Sequence, residues 1–524
     1  MKTNLKTGGI LSLLVIKLSI IVVILLIAGF INLRLDLSKG RVYSISKSSK
    51  EAVHGLKDRM VIKIYASEEL PPNFLAVRRY LNDLLAEYKN YGGSKFSYEF
   101  VKTASSDELN SIASQHGFMG FNTQSMENDR ITFKNTVFSL TMEYNGKQEI
   151  LDLPPGIESR LEYSLTNRVR RLAGQKLPEL IVFRDSTYAS YPTDMLERSL
   201  DENYFLGSTD LFTPVRKSPT LLFTGVIDSM ATEQLYNLDQ YLMNGGKVVF
   251  LQDRISLSET APYNIESNIF ELLESYGIVL GRDMILDLQS AKQPGTLGQP
   301  GSAVPFIPIV RGSTKNVITK NMKDIMILFG SEIGIMDSTS LSYEPILSTS
   351  ANSALIPGPA FDVDPQMLKM PDPAFYAHPP VTIGALIKGK LRSHFADDPL
   401  YSARPGFKAA TDNAELVIYG DRELIMDSKE AEFNNRNFIV LNAIDYLQDN
   451  LAMIGIRSRS IQESYLDIYD FMYRKNLMWG KPEQTEKRIK TAVKVVSIAV
   501  PPLLLIAFGL ILIKLNKNKT RGIV

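Results

Sequence analysis

The sequence predicts an α/β protein in which two α/β units lie between two membrane helices. Three patterns indicate this architecture. A long apolar run stands near each end of the 524 residues, at 8–33 and 495–513. Between them, short apolar stretches of strand length alternate with amphipathic stretches of helix length. The pairs Asn145-Gly146 and Gly245-Gly246 are turn and helix-stop signals, and they mark where several of these elements end.

The first apolar run predicts an uncleaved membrane anchor. Residues 8–33 are long enough to cross a bilayer, which takes roughly 20 apolar residues in a helix. Lys17 interrupts the run, but a lysine extends its ammonium to the headgroups while its stem stays in the apolar layer. No small-residue cleavage site follows the run, which favours an anchor over a removed signal peptide.

The second apolar run, 495–513, predicts a second membrane span that contains Pro501 and Pro502. Each proline removes a backbone donor and frees a carbonyl that lipid cannot satisfy. We therefore expect Pro501 and Pro502 to mark a surface that docks on a partner within the membrane. A simple bend in the helix is the alternative.

Basic residues at both termini predict the orientation. Residues 1–7 and the tail 514–524 carry lysines and an arginine, and such flanks favour the cytoplasm. With two spans, the body then lies on the opposite side. The sequence thus predicts a two-pass protein of a bacterial inner (cytoplasmic) membrane with a periplasmic body.

The composition excludes several classes of function. A net charge of +1 leaves no electrostatic footprint for nucleic acid. The chain has no cysteine, and therefore no disulfide, thiol nucleophile or thiolate metal site. Its histidines, His54, His116, His378 and His394, are scattered without the spacing of metal ligands. The sequence predicts neither a metal nor a cofactor.

Residues 34–175 predict a thioredoxin-like unit. After a polar lead-in with a short helix within 44–57, the periodicities predict the order β-α-β-α-β-β-α. The predicted elements are 61–66, 77–91, 96–101, 107–116, 137–144, 148–153 and 160–172. A redox site would follow the first strand, where residues 67–72 read SEELPP. Without cysteine, this unit is expected to be a scaffold.

Residues 176–460 predict a larger unit built on a parallel sheet. Apolar strands alternate with helices, which implies a sheet covered on both faces. The predicted strands are 180–183, 221–224, 247–251 and 414–419, and the predicted helices are 232–243, 269–276 and 437–447. Two Pro/Gly-rich stretches, 290–312 and 343–380, predict long loops that either contact a partner or are flexible insertions. Residues 461–494 follow as a membrane-proximal helical linker.

No catalytic residue is predicted. The stretch from Gly384 to Leu391 nearly matches a phosphate-binding loop, but Leu391 replaces the hydroxyl that would bind Mg²⁺. A phosphate loop joins a strand to a helix, whereas 381–387 and 391–395 resemble two strands around a Lys-Gly-Lys turn. A nucleotide site is therefore not expected.

Four aspartates are candidate ligand-binding residues: Asp185, Asp228, Asp253 and Asp421. Each falls at or just beyond the carboxyl end of a predicted strand, the edge at which open α/β sheets bind ligands. The alternative is that they cap the next helix or turn. No Ser-His-Asp arrangement or nucleophile elbow accompanies them.

Four segments match, in order, the motifs of one family. They are Arg34–Ser38 with Tyr43–Ser46, Leu238–Lys247, Leu386–Lys390 with Ser393–Phe395, and Asn437–Leu447 with Ile456–Arg459. On these motifs the chain resembles the auxiliary, substrate-binding-like subunits of gliding-motility-associated (Gld-type) ABC transporters. The resemblance covers nearly the whole chain. Tyr446 is a conservative departure, since tryptophan is common there.

The resemblance implies a flavodoxin-like (amidotransferase-like) central domain that lacks the cysteine nucleophile of the related enzymes. It also implies an ABC permease and a cytoplasmic ATP-binding subunit as partners, and an envelope polymer or protein as substrate. The expected function is a non-catalytic extracytoplasmic subunit that serves gliding motility, secretion or export. Two alternatives are open: an envelope enzyme acting on glycans through the strand-end aspartates, and a structural scaffold of a motility machine.

Overall fold

A computed structural model describes residues 44–458 and a short helical stretch near the carboxyl terminus, 487–496 with 499. Within 44–458, the residues not described are 128–129, 186–191, 216–219, 259–260, 294–301, 321, 323–324, 337–339, 360, 362–373 and 428–435. The chain divides into two compact units, Met1–Ser460 and Ile461–Val524.

The membrane predictions concern residues that are largely outside this description. The first predicted span, 8–33, Pro501, Pro502 and the tail 514–524 all lie outside the described residues. Of the predicted linker 461–494, residues 487–494 are described and are helical. Among the residues described, no helix is both long and apolar enough to cross a membrane. The two spans therefore stay predictions.

The amino-terminal half of the larger unit is built on a five-stranded mixed sheet. Its elements are α1 Lys47–His54, β1 Met60–Ala66, α2 Pro72–Gly92, β2 Phe96–Phe100, α3 Ser106–His116, β3 Gly120–Glu127, β4 Arg130–Tyr144, β5 Lys147–Asp152 and α4 Glu158–Leu172. Strand β1 pairs in parallel with β2 and antiparallel with β4, and both β3 and β5 pair with β4.

These elements follow the predicted order closely. The path β2-β1-β4-β5 has the parallel first pair and the closing hairpin that the order β-α-β-α-β-β-α predicts. Helix α2 buries the predicted face, including Val77, Leu81 and Tyr88, against the sheet. Strand β4 starts seven residues earlier than predicted, at Arg130, because its first half pairs with β3. The sequence did not predict β3.

The second sheet has ten strands. The elements that follow α4 are β6 Glu179–Phe183, α5 Asp194–Asn203, β7 Phe205–Thr209, β8 Thr220–Phe223, α6 Thr232–Met243, β9 Lys247–Leu251, β10 Ile255–Leu257, β11 Pro262–Asn264, α7 Ile269–Ser275, β12 Ile278–Leu280, β13 Met284–Asp287, β14 Ser290–Gln293, β15 Ser302–Gly312, β16 Ile325–Met326, β17 Ile333–Ile335, β18 Leu341–Ser348, β19 Ser353–Ile356, β20 Thr382–Arg392, α8 Pro399–Ser402, β21 Ala410–Tyr419, α9 Arg436–Leu447 and α10 Leu451–Arg457. The order across the sheet is β14-β15-β18-β20-β21-β9-β8-β6-β7, with β16 also paired to β15.

Half of this sheet is parallel and half is antiparallel. Strands β7, β6, β8, β9 and β21 are parallel neighbours, which is the strand order of a doubly wound sheet of the flavodoxin type. Strands β20, β18, β15 and β14 extend it in antiparallel fashion. The α/β class is confirmed, but the parallel sheet that the sequence predicted is only half of the observed sheet, because the region between β9 and β21 supplies all of its antiparallel strands.

The parallel strands are apolar along their whole length because helices cover both faces. Val249 and Leu251 of β9 belong to the cluster that includes α5 and α9, whereas Val248 and Phe250 belong to the cluster that includes α6 and α7. Helix α9 is buried on nearly all sides, as its continuous apolar sequence predicted.

Both Pro/Gly-rich stretches contain strands where the sequence predicted only loop. Strands β14 and β15 lie within 290–312, and most of β18 and all of β19 lie within 343–380. Proline lacks a backbone donor, and strands tolerate it where the ladder is irregular. Pro305 falls in the register shift between β14 and β15, and Pro345 adjoins a shift between β18 and β20.

The predicted Lys-Gly-Lys turn is also absent. Residues 382–392 form one strand, β20, and Gly389 lies within it at a φ of +140°. Its position coincides with a register shift between β20 and β21. The missing side chain lets the strand pass through the irregularity, since a Cβ there would lie 2.3 Å from the carbonyl oxygen of Ser340.

Candidate functional site

The candidate aspartates all follow parallel strands, but the structure brings only two of them together. Strands β9 and β21 are parallel neighbours, with Leu251 opposite Tyr419. Asp253 and Asp421 each come two residues later, so they reach the same point of the sheet edge, and both are fully buried. Asp185, after β6, is only partly buried, and Asp228, after β8, is exposed.

A third carboxylate completes a buried acidic cluster. Side-chain oxygens of Asp253, Asp421 and Glu423 all lie within 4.8 Å of one another. Glu423 belongs to a short 3₁₀ turn, Arg422–Ile425, directly after β21. The sequence analysis missed Glu423, although the charged triplet from Asp421 to Glu423 directly after an apolar strand is an available signal.

These carboxylates accept few hydrogen bonds. Asp421 accepts through Oδ2 from the backbone N–H of Leu328 at 2.9 Å and is also bonded by the backbone of Glu423, whereas its Oδ1 has no partner among the described residues. Neither carboxylate oxygen of Asp253 has a donor within the described part of the chain. A buried carboxylate without a donor is costly, because it has lost water and gained nothing in exchange.

Two buried arginines flank the acidic cluster. Arg422 forms an ion pair with Glu423 at 3.5 Å, and its side chain is only 2 % exposed. Arg436, at the start of α9, donates from Nη2 to the carbonyl oxygen of Met426 at 2.7 Å. The stem of Arg422 crosses Gly225, where a Cβ would lie 2.6 Å from Arg422 Cδ and the φ is +86°. Only glycine fits at this crossing.

Burial raises the pKa values of Asp253 and Asp421, which favours their neutral, protonated forms. Burial and the neighbouring Glu423 carboxylate raise the pKa of Asp253 well above its usual range, against the opposing effect of Arg422. The same causes raise the pKa of Asp421, although its bond from the backbone of Leu328 and the charge of Arg436 oppose the shift. Burial also lowers the pKa of Arg436.

Backbone segments cover this edge of the sheet instead of leaving an open crevice. Gln252 ties the loop after β8 to the loop after β9, since its side chain accepts from Val226 N–H at 2.8 Å and donates back to the Val226 carbonyl at 3.0 Å. Ser331 N–H donates to the Gly420 carbonyl at 2.7 Å. The cluster can therefore hold a small ion or a proton, whereas a polymer could not reach Asp253 and Asp421.

Two sequence motifs meet at another buried aspartate, Asp239 of α6. It accepts hydrogen bonds from Tyr276 Oη at 2.9 Å, Ser393 Oγ at 2.7 Å and His394 N–H at 2.9 Å. The motif residues of α6 and those that follow β20 are thus joined directly. Asp239 fixes α6 to the end of β20 and to α7, which is a structural role.

The two motif segments Asn437–Leu447 and Ile456–Arg459 also meet in a buried contact. Arg457 of α10 pairs with Asp445 of α9, and it donates from Nε to Asn442 Oδ1 at 2.8 Å. It also donates to Tyr163 Oη of α4 at 3.3 Å, and Tyr163 belongs to the amino-terminal half. Arg457 therefore links α9 and α10 to the helix that precedes the second sheet.

The lead-in motif also has a structural role. Ser46 caps α1, and its backbone N–H donates to Glu162 Oε1 of α4 at 2.6 Å. Ser49 Oγ donates to the same oxygen at 2.6 Å. These bonds fix the segment that follows the first predicted span onto α4.

A cavity of about 960 Å³ lies along α6. Several of its polar side chains are paired within the protein: Arg404 contacts Glu233 at 2.8 Å and stacks over the ring of Tyr236, and Gln240 bonds the backbone of Lys408. Nothing in this lining specifies the chemistry of a ligand.

The resemblance to a phosphate loop has no structural basis. Gly384 to Leu391 lies inside β20, in the middle of the second sheet, and is followed by more strand instead of a helix. A phosphate loop needs a run of backbone donors at a helix start, and paired strand backbone does not offer them.

The fold and the site define an α/β protein whose charged sheet edge is covered by backbone segments. Its phosphate-loop-like stretch, Gly384 to Leu391, is part of strand β20. A family model, described as ABC-type uncharacterized transport system, matches residues 175–443, about half of the chain. The protein belongs to this family. Residues 39–143 match a domain of unknown function (DUF7088). The expected relation to ABC transporter auxiliary proteins is confirmed, while the gliding-motility subtype stays a prediction.

Two further likenesses accompany the family. The chain is 22% identical over 517 residues to an uncharacterized protein of Borreliella burgdorferi, with 95% of this chain and 96% of that protein covered. Among solved structures, the mmIFT52 N-terminal domain is similar at 14% identity and a TM-score of 0.31, covering 51% of this chain and 96% of that chain. A score this low identifies neither fold nor function.

Proposed function

We propose that this protein is a non-catalytic, membrane-anchored auxiliary subunit of an ABC transport complex. Membership of the ABC-type transport family over residues 175–443 carries the proposal. The complex would contain a permease in the membrane and a separate cytoplasmic ATP-binding subunit. The transported material would be an envelope polymer or protein, in a Gld-type system for gliding motility, secretion or export.

The geometry of β20 supports the assignment of ATP hydrolysis to a separate subunit. An ABC complex drives transport by nucleotide hydrolysis, and the stretch of this chain that most resembles a nucleotide site is paired strand. The other motif segments serve packing, as the bonds of Asp239 and Arg457 illustrate. A partner ATPase would supply the energy, and this chain would supply a folded body and its anchors.

The anchors would be the apolar runs 8–33 and 495–513, with both termini in the cytoplasm and the body in the periplasm. The bonds from Ser46 and Ser49 to Glu162 suit this arrangement. They start 13 residues after the end of the first run, so little free chain would separate the bilayer from the folded body.

Co-purification tests the proposal. The tagged full-length chain, extracted from membranes in a mild detergent, should bring with it a multi-span permease and an ATP-binding protein, identified by mass spectrometry. Membranes with the untagged chain are the control. If neither class of protein is enriched over that control, the proposed function is wrong.

A second test addresses the predicted docking role of Pro501 and Pro502. Replacing both by leucine should leave the protein in the membrane but lower recovery of the permease, because the freed carbonyls and the bend would be lost. The matched control is Ile511→Leu with Ile513→Leu, which alters side chains of the same run without altering the backbone. Equal recovery with both double variants would refute the docking role.

A further inference from the structure

The acidic cluster at the edge of β9 and β21 holds buried carboxylate oxygens that accept no hydrogen bond, although two arginines flank it. Both oxygens of Asp253 and Oδ1 of Asp421 are buried without a hydrogen-bond donor among the described residues, so neither arginine donates to them. Asp253 is fully buried, and the register of β9 and β21 places it beside Asp421. One side-chain oxygen from each of Asp253, Asp421 and Glu423 lies within 4.8 Å of the other two.

The charges around this point do not cancel. Asp253, Asp421 and Glu423 provide three carboxylates. Arg422 and Arg436 provide two guanidiniums. The formal balance with all groups ionised is therefore −1, so negative charge is in excess at the cluster.

We propose that Asp253, Asp421 and Glu423 bind one divalent cation of the oxygen-preferring kind, Ca²⁺ or Mg²⁺. Such ions take carboxylate oxygens at about 2.0–2.6 Å, so two ligands on opposite sides of one ion stand up to about 5 Å apart. The mutual spacing of up to 4.8 Å in the cluster fits this geometry. The backbone bond from Leu328 to Asp421 Oδ2 leaves Oδ1 as its ligand atom.

The ion would fasten the closed edge of the sheet. Asp253 follows β9, whereas Asp421 and Glu423 follow β21, so one ion would join the ends of two neighbouring strands. All three ligands belong to this chain, so the cation site does not depend on transport partners. The sequence predicted no metal because its histidines lack ligand spacing and it has no cysteine. The carboxylate cluster was not visible there, since Glu423 was not among the predicted residues.

A shared proton between two of the carboxylates is the competing occupant. It would satisfy one oxygen of each of two acids and leave the others without a partner. The two occupants respond differently to added cations and to neutral substitution. The experiment therefore measures both responses on the same protein.

The test uses the full-length chain in detergent, treated with a chelator and then freed of it. Titration calorimetry with CaCl₂ and with MgCl₂ should find one saturable ion per chain for at least one of the two. Asp253→Asn should weaken that binding about 100-fold or more, because a neutral amide oxygen replaces a charged carboxylate ligand. Asp228→Asn is the matched control at the same sheet edge, and it should bind as the wild type does.

Thermal unfolding supplies the second readout. Without added cation, Asp253→Asn should unfold at the same temperature as the wild type or higher, since a neutral amide replaces a carboxylate that has no donor. With saturating cation the order should reverse.

Three results would overturn the proposal. They are no cation binding by the wild type, binding that persists unchanged in Asp253→Asn, and a lower unfolding temperature of cation-free Asp253→Asn than of the cation-free wild type. If cations have no effect and only the pH dependence of unfolding differs between the two proteins, the occupant is a proton and the cation site is wrong.

Discussion

The ion pair between Arg457 and Asp445 gives the sharpest prediction of stability. Arg457→Met keeps an unbranched chain of similar length and removes the charge. In the native protein the guanidinium is fully buried and Asp445 is 2 % exposed. After the substitution, the Asp445 carboxylate keeps a hydrogen bond from Asn450 Nδ2, at 3.0 Å, but has lost its charged partner.

The expected cost follows from those contacts. Removing one partner of a buried ion pair typically costs about 3–5 kcal/mol, because a charge stays buried without compensation. Arg457 also donates to Asn442 Oδ1 at 2.8 Å and to Tyr163 Oη at 3.3 Å, so further acceptors lose their partner. We expect a value toward the upper end of this range, since Arg457 connects α10 to both α9 and α4.

Urea unfolding of the full-length protein, followed by far-UV circular dichroism, measures this cost. The double variant Arg457→Met with Asp445→Asn should recover at least about 2 kcal/mol, because it leaves no buried charge. Arg392→Met is the matched control: its ion pair with Asp397 is exposed, and solvent screening leaves such pairs little effect on stability. If Arg457→Met costs no more than Arg392→Met, or the double variant is no more stable than the single one, the reasoning fails.

Three further predictions concern activity, topology and pH. The purified protein, free of any partner ATPase, should hydrolyse no ATP, because the stretch around Lys390 is strand; hydrolysis that Lys390→Ala abolishes would contradict this. Since the chain has no cysteine, Asp412→Cys, at an exposed side chain, should react with a membrane-impermeant maleimide in spheroplasts, whereas Lys519→Cys should react only after lysis; the reverse pattern would invert the topology. Burial raises the pKa of Asp421 to about 8, so the neutral acid stabilises the folded state at low pH, and this contribution is lost as the pH rises from about 4 through 8. In a chelator, the wild type should therefore lose stability over that interval relative to Asp421→Asn, as thermal unfolding against pH would measure; parallel curves would refute the assignment.

Local periodicity was enough to predict most elements of the amino-terminal half. Apolar spacing predicted α2 and α4, and Asn145-Gly146 predicted the hairpin of β4 and β5. Each of these signals acts within one element or between two adjacent ones. Strand β3 was missed because no turn signal separates it from β4. It pairs only with the first half of β4, which the sequence did not predict as strand.

Apart from the two strands predicted within 381–395, which form the single strand β20, the second sheet was predicted only where its strands have apolar runs. Strands β6, β8, β9 and β21 carry that signal because helices cover both of their faces. The antiparallel half carries prolines and glycines, which resemble loop sequence, and the irregular ladders that accommodate them depend on neighbours far along the chain. Strand propensity cannot predict such pairings, since it depends only on the local sequence.

The sequence alone determined the α/β class, the order of the strands that helices cover, the membership of the transport family and the candidate aspartates at strand ends. Only the tertiary structure decided which aspartates act together. The register of β9 and β21 joins Asp253 to Asp421, separates them from Asp185 and Asp228, and adds Glu423, Arg422 and Arg436. The physical reason is that the pKa of an acidic group and the energy of its interactions depend on its burial and on neighbouring charges. Both are properties of the packed chain.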